Sequence, residues 1–231
     1  MNGALAVFAK TPGLSPVKTR LAADVGARLA EKFYRLSLAA AEEVAARVRD
    51  LSEGAIRPVW ALAERNGGGE GSRKSFPSIW TGDGDLGKRL HSVYSSLFKN
   101  HDYVMMMGTD SPQLEPSLIL EAGRIIFENP ESCVVGPSHD GGFYLFGGKI
   151  PIPESAWTGV AYSTNSTLRE LARNLESQNI PVRLISEQGD VDSARDLKTL
   201  MNALEASPDL LPAQRRLLAW LRACKETLGT F

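Results

Sequence analysis

The sequence predicts an α/β fold: a mainly parallel sheet with helices on both faces. Three observations point there. Short apolar runs such as ALAVFA (4–9) and DYVMMMG (102–108) lack polar alternation, as expected of strands covered on both sides. Amphipathic helical stretches of ten or more residues separate them, which is the connection that parallel strands require. The loops richest in glycine, proline and charge leave these runs at their carboxyl ends, where open α/β sheets bind ligands.

ALAVFA is the first strand. KTPGLSPVKTR (10–20) follows, with two prolines and a glycine that prevent helix or strand, and with three cations, Lys10, Lys18 and Arg20. From Gly26 to about Asp50, Leu29, Phe33, Leu36, Ala40, Val44 and Val48 recur at helical spacing among Glu, Lys and Arg. IRPVWALA (56–63) is the second strand, and NGGGEGS (66–72) reads as a flexible loop. SIWTGDGDLGKRL (78–90) is a strand end and Gly-rich turn that enters a helix through Leu90, Val93, Tyr94 and Leu97.

DYVMMMG is the next buried strand, PSLILEAGRIIFE (116–128) a helix, and SCVVG (132–136) a strand, followed by the turn PSHDGG and the strand FYLFGG (143–148). STNSTLRELARNLESQ (163–178) opens on cap-type residues and continues as a helix. PVRLIS (181–186) is the last strand. SARDLKTLMNALE (193–205) and LLPAQRRLLAWLRACKETL (210–228) are terminal helices.

With 231 residues, 43% of them hydrophobic, the chain is long enough for one large domain spanning 1–231, with 208–231 as a C-terminal helical extension. That last helix is amphipathic and either packs on its own sheet or forms a dimer face, so the oligomeric state stays open. Net charge is −1, so no whole-molecule field draws nucleic acid or an anionic membrane, and any anion site must be local. The first apolar run, about six residues, is too short for a signal peptide or membrane span, and the expectation is a soluble, cytoplasmic protein. Cys133 and Cys224 form no metal-ligand spacing and read as buried free thiols.

The chemistry concentrates in five stretches. In KTPGLSPVKTR, Gly13 allows a tight turn, so Lys10, Lys18 and Arg20 can face one way toward a polyphosphate, Arg20 with its fork and the lysines as compact charges. A solvated basic loop is the alternative. The stretch is neither a Walker A loop nor a GxGxxG turn. In MMMGTDSPQL (105–114), Asp110 ends an apolar strand, a costly place for a carboxylate unless it is hydrated, paired or coordinating Mg²⁺. A turn or helix cap is the other reading.

In GDVDSARDL (189–197), Asp192 is a second candidate metal ligand or else the cap of the helix near Ser193. In GPSHDGGFYLFGG (136–148), Gly141 and Gly142 after Asp140 let the backbone approach a ligand, Phe143 or Tyr144 can pack on a base or sugar, and His139 reads as a general base or, more simply, as a surface residue in a turn. TGDGDLGKRL (81–90) offers helix-start amides near Gly87, with Lys88 and Arg89, to a base or phosphate, or is simply a capped helix start. The absence of GxSxG, HExxH and the kinase motifs leaves hydrolase triads, zinc proteases and kinases without support.

Together, FAKTPGLSPVKTRL, GTDSP, GPSHDGGFYL and DVDSARDL resemble a bacterial family of the nucleotide-diphospho-sugar transferase superfamily. That family is described as radical-SAM/selenodomain-associated or arsenosugar-biosynthesis glycosyltransferases and is related to phospholactate and molybdenum-cofactor guanylyltransferases. The resemblance spans about residues 4 to 200. It implies the GT-A fold, a Rossmann-like αβα sandwich with a mixed, mostly parallel sheet. It also implies a phosphate-binding segment at Lys10, Lys18 and Arg20 and Mg²⁺ or Mn²⁺ ligands at Asp110 and Asp192. SAR after DVD departs from the Thr-Pro-Glu type of continuation.

Two reactions follow. In the leading one, nucleotidyl transfer from a nucleoside triphosphate to a phosphorylated small-molecule acceptor, Asp110, Lys18 and Arg20 carry catalysis through positioning and charge neutralisation. In the other, a glycosyl group moves from a nucleotide sugar. A nucleotide-binding protein without turnover is the third reading.

Overall fold

The computed structural model describes residues 2–65 and 75–228, and the glycine loop expected at 66–72 lies outside them. Seven strands form one sheet in the order β3-β2-β1-β4-β6-β5-β7. They are β1 (Gly3–Ala9), β2 (Ile56–Leu62), β3 (Ser78–Trp80), β4 (Tyr103–Met107), β5 (Cys133–Pro137), β6 (Phe143–Gly148) and β7 (Val182–Leu184). Only β6 runs antiparallel, paired with β4 on one side and β5 on the other, so the sheet is mixed and mostly parallel. The chain reverses its winding direction at β1, whose parallel neighbours are β2 and β4. That reversal opens a crevice at the carboxyl ends of these strands.

Strand alternation divides the core in two. Leu5, Val7, Met105 and Met107 point to the face covered by α2 (Ala27–Leu51) and α4 (Pro116–Glu128). Ala4, Ala6, Val104 and Met106 point to the other, beneath α3 (Leu86–Phe98), α5 (Glu154–Thr158) and α6 (Thr167–Ser177). There Trp157 packs edge-on against Phe146 with ring centroids 4.7 Å apart. A third apolar cluster joins α1 (Thr19–Val25), the start of α2, α7 (Ala194–Ala206) and α8 (Pro212–Leu228) through Leu21, Phe33, Leu204, Leu217 and Leu221. The C-terminal helix therefore packs on α2 and α7, and Trp220 lies 6.3 Å from Phe33 between ring centroids.

Three local departures from the sequence reading have physical causes. The cationic loop does not lead straight into the long helix: Thr19–Val25 forms its own short helix, and Gly26, at φ 87°, breaks the chain before α2. Residues 163–166 are turn, because Thr164 and Thr167 spend their hydroxyls on the carbonyl of Ala161, and α6 starts only at Thr167. The five-residue α5 is too short to show a helical period in the sequence. Among the described residues no helix is long and apolar enough to cross a membrane.

Candidate active site

The crevice at the strand ends is a cleft of about 550 Å³, and four loops supply its charged walls. The first is the cationic loop, which is pinned at its start. The Tyr34 hydroxyl, carried on α2, accepts the Lys10 N–H at 2.8 Å and donates to the Lys10 carbonyl at 3.1 Å. Burial above all pushes this phenol up to about 12, so it stays a neutral donor. Glu64, just past β2, accepts the Thr11 N–H at 2.9 Å. Burial alone would push its carboxyl up, but the Ser15 hydroxyl and the backbone and hydroxyl of Thr11 outweigh it and hold it below its ordinary value. Gly13 turns the chain at φ 91°, and Lys10 Nζ bonds the Pro16 carbonyl at 3.1 Å.

The loop ends on Lys18, held at φ 46°, ψ 48°, the left-handed region that a lysine rarely visits. That conformation aims the side chain inward, where only 5% of it is exposed. Its ammonium meets Asp110 Oδ1 at 2.5 Å, the Val191 carbonyl at 2.5 Å and Asp192 Oδ1 at 3.7 Å. Arg20, largely exposed, bonds Asp192 Oδ2 through Nη1 at 2.8 Å.

Asp110 is placed by the end of β4. Its carbonyl accepts the Val191 N–H at 3.0 Å, and Gln113 Nε2 donates to the Gly189 carbonyl at 2.6 Å, so the GTDSP turn and the loop before α7 are stitched together. In that loop Asp192 is not the helix cap. Ser193 occupies the cap position of α7, and Asp196 accepts from the Asp192 and Ser193 N–H groups and from the Ser193 hydroxyl. The Asp192 carboxylate is thereby left to Lys18, Arg20 and the cleft.

Asp140 enters from the turn before β6, where its Oδ1 accepts the Gly142 N–H at 2.8 Å. Gly141 sits at φ 87°, and a Cβ there would lie 2.3 Å from the Asn165 carbonyl oxygen, so any side chain would push this turn out of place. The turn carries Asp140 to Asp190 and Asp192, and one carboxylate oxygen from each of the three lies within 4.8 Å of the others. Burial first, then the charges of Asp140, Asp192 and Asp110, pushes the Asp190 carboxyl up to about 6. Three carboxylates gathered in this way offer the hard oxygen donors that Mg²⁺ or Mn²⁺ takes, so the residues present fit a divalent cation.

Of the residues singled out in the sequence, Lys10, Lys18, Arg20, Arg89, Asp110, Asp140, Gly142 and Asp192 line the cleft. Arg89 is steadied by the Gly84 carbonyl at 3.0 Å, and Asp85 caps α3 by accepting the Lys88 N–H. Gly13, Gly87 and Gly141 are not cleft-lining. Gly87 is a packing residue: a Cβ there would stand 2.5 Å from the Trp157 carbonyl oxygen. Asp110 lies outside the three-carboxylate group and pairs with the Lys18 ammonium. His139 is exposed, with Nε2 4.0 Å from Glu187. Tyr34, Glu64 and Gln113, which shape the site from behind, carry no sequence signal beyond their residue types.

Two outcomes are expected from this geometry. Glu64→Gln removes a charged acceptor from the loop start and costs about 1 kcal/mol at neutral pH. Because the folded carboxyl titrates below its ordinary value, that stabilisation exists above pH 4.5 and fades as pH falls, so the two melting curves should converge in acid. Asp190→Asn in EDTA at pH 7.5 relieves carboxylate repulsion and raises stability by about 1 kcal/mol, discounted for its half-exposure. Added Mg²⁺ should then raise the melting temperature of the parent chain but not that of the variant.

Residues 55–164 match a family described as an uncharacterized protein conserved in bacteria (DUF2064). No protein of curated function matches the chain in sequence. Among solved structures, a protein of Desulfovibrio desulfuricans G20 named for the nucleotide-diphospho-sugar transferases superposes with a TM-score of 0.84. It is 22% identical over 98% of this chain and 96% of its own. The 4-diphosphocytidyl-2C-methyl-D-erythritol synthase of Anaerococcus prevotii DSM 20548 gives 0.54 at 10% identity, over 88% of this chain and 96% of its own. The bifunctional IspDF of Campylobacter jejuni gives 0.56 at 11% identity, over 86% of this chain and 54% of its own. The chain thus has the α/β fold of the nucleotide-diphospho-sugar transferases.

Proposed function

We propose that the chain is a divalent-cation-dependent transferase acting on a nucleotide, with nucleotidyl transfer to a phosphorylated small-molecule acceptor as its reaction. One observation carries this reading: a cationic loop and four carboxylates from three separate loops converge on one cleft at the carboxyl ends of the strands. The names of the structural neighbours given above support it.

Asp140, Asp190 and Asp192 would hold the cation, which neutralises charge on phosphate oxygens when bound. Arg20 and Lys10, at the open side of the cleft, bind and orient the phosphates. Lys18 has its protons committed to Asp110 and Val191, so its role is to hold those loops and lend a fixed positive charge beneath the phosphates. Phe8, Ala61, Leu86 and Arg89, which also line the cleft, suit the flat face of a base. In the reaction an acceptor phosphate oxygen attacks the α-phosphorus, the bond to the bridging oxygen of the β-phosphate breaks, and pyrophosphate leaves. Preorganised charge lowers the barrier.

Glycosyl transfer from a nucleotide sugar is the second reading. It is favoured by the pairing of Lys18 and Arg20 with carboxylates, which leaves fewer uncommitted cations than a triphosphate would use.

Incubation with Mg²⁺ and each nucleoside triphosphate or nucleotide sugar, across a panel of phosphorylated and hydroxyl acceptors, should release pyrophosphate. Nucleoside diphosphate released from a nucleotide sugar would instead establish the second reading, and neither product would overturn both. Arg20→Ala should weaken nucleotide binding about tenfold while leaving the free nucleoside unaffected. Equal losses for both ligands would rule out phosphate contact.

A further inference from the structure

The C-terminal helix sends one side chain into the back of the site. Gln214, in the first turn of α8, is 2% exposed, and both ends of its carboxamide are hydrogen-bonded. Nε2 donates to the carbonyls of Pro112 and Leu114, each at 3.0 Å, and Oε1 accepts the Leu211 N–H at 3.0 Å. Both carbonyls belong to the turn that carries Asp110. On its cleft side the same turn is tied to the acidic loop by the Val191 N–H on the Asp110 carbonyl and by Gln113 on the Gly189 carbonyl. The GTDSPQL turn is thus clamped between α8 and the segment that presents Asp190 and Asp192. Without Gln214 two buried carbonyls lose their donors, and the turn has reason to shift toward water.

We infer that Gln214 is a positioning residue, which acts through the Pro112 and Leu114 carbonyls to keep the Asp110 turn in register with the Asp190/Asp192 loop, so that α8 is part of the site. The metal-binding consequence rests on the proposed reading of the three carboxylates, whereas the clamp itself does not. Gln214 has a second job at the start of α8, where Glu43 also accepts the Ala213 N–H. The test must separate clamp from helix start.

The variants are Gln214→Met, which loses both functions, Gln214→Glu, which keeps the acceptor for Leu211 but loses the paired donors, and Glu43→Ala, which disturbs only the helix start. Each is followed by amide hydrogen exchange at Leu114 and Val191 and by Mn²⁺ titration with electron paramagnetic resonance. The expected result is exchange at Val191 about tenfold faster in both Gln214 variants, relative to the shift in global stability, with Mn²⁺ affinity about tenfold weaker. Glu43→Ala should show neither change beyond its global effect. If Gln214→Met fails to fold, Gln214→Glu alone decides.

Unchanged Val191 exchange in a folded Gln214 variant overturns the inference, as does a Gln214→Glu chain that matches the parent while Gln214→Met does not. If the parent chain binds no Mn²⁺, the metal reading falls, and the exchange measurements still decide the clamp.

Discussion

A charged side chain that is 95% covered must find its compensation inside the protein, and around Lys18 this requirement organises the cleft. Its partners arrive from separate parts of the chain: Asp110 from the end of β4, and Val191 and Asp192 from the loop before α7. None of these segments is adjacent to it in sequence, yet each must hold its place for the charge to be tolerated. The left-handed backbone at Lys18 has the same explanation, since strain of that kind persists only where surrounding contacts overdetermine it. Arg20 completes the network at the surface through Asp192.

This arrangement also accounts for a tension in the site. Asp110 and Asp192 are engaged by cations of the chain itself, while Asp140 and Asp190 share a corner where no lysine or arginine is paired with them among the described residues. Repulsion there is partly relieved by the raised affinity of Asp190 for a proton. A cleft divided in this way presents positive and negative charge on different walls, as the proposed function requires. A metal–polyphosphate complex carries both.

Much of the fold was legible because its signals are local. ALAVFA and YVMMM are apolar at every position, which only a strand buried on both faces requires, and the α2 stripe of Phe33, Ala40, Val44 and Val48 is a helical period that packing then satisfied. The direction of β6 was not legible from residue pattern, since FYLFGG covered on both sides reads alike whichever way it runs. In the site, the cationic loop and the acidic turns stood out through composition. What composition hid was the pairing among them. Lys18 turns inward because of its backbone angles, Asp192 is freed because Ser193 takes the cap, and Gly87 is small because Trp157 lies against it. The first and last depend on neighbours far away in the chain, and the second on a choice between adjacent cap residues that composition alone does not decide.

The antiparallel β6 carries a consequence for how such a site can diversify. Parallel strands deliver only their final residues to the crevice, and the rim segments after β1 and β4 also lead into helices that cover the sheet. At β6 the rim is made by the residues before the strand, in a turn that merely returns from β5. That turn lies outside the connections that lead into helices, so a change in its length is absorbed at the rim rather than in the packing of the sheet, although Gly141 and Asp140 restrict which residues it can carry.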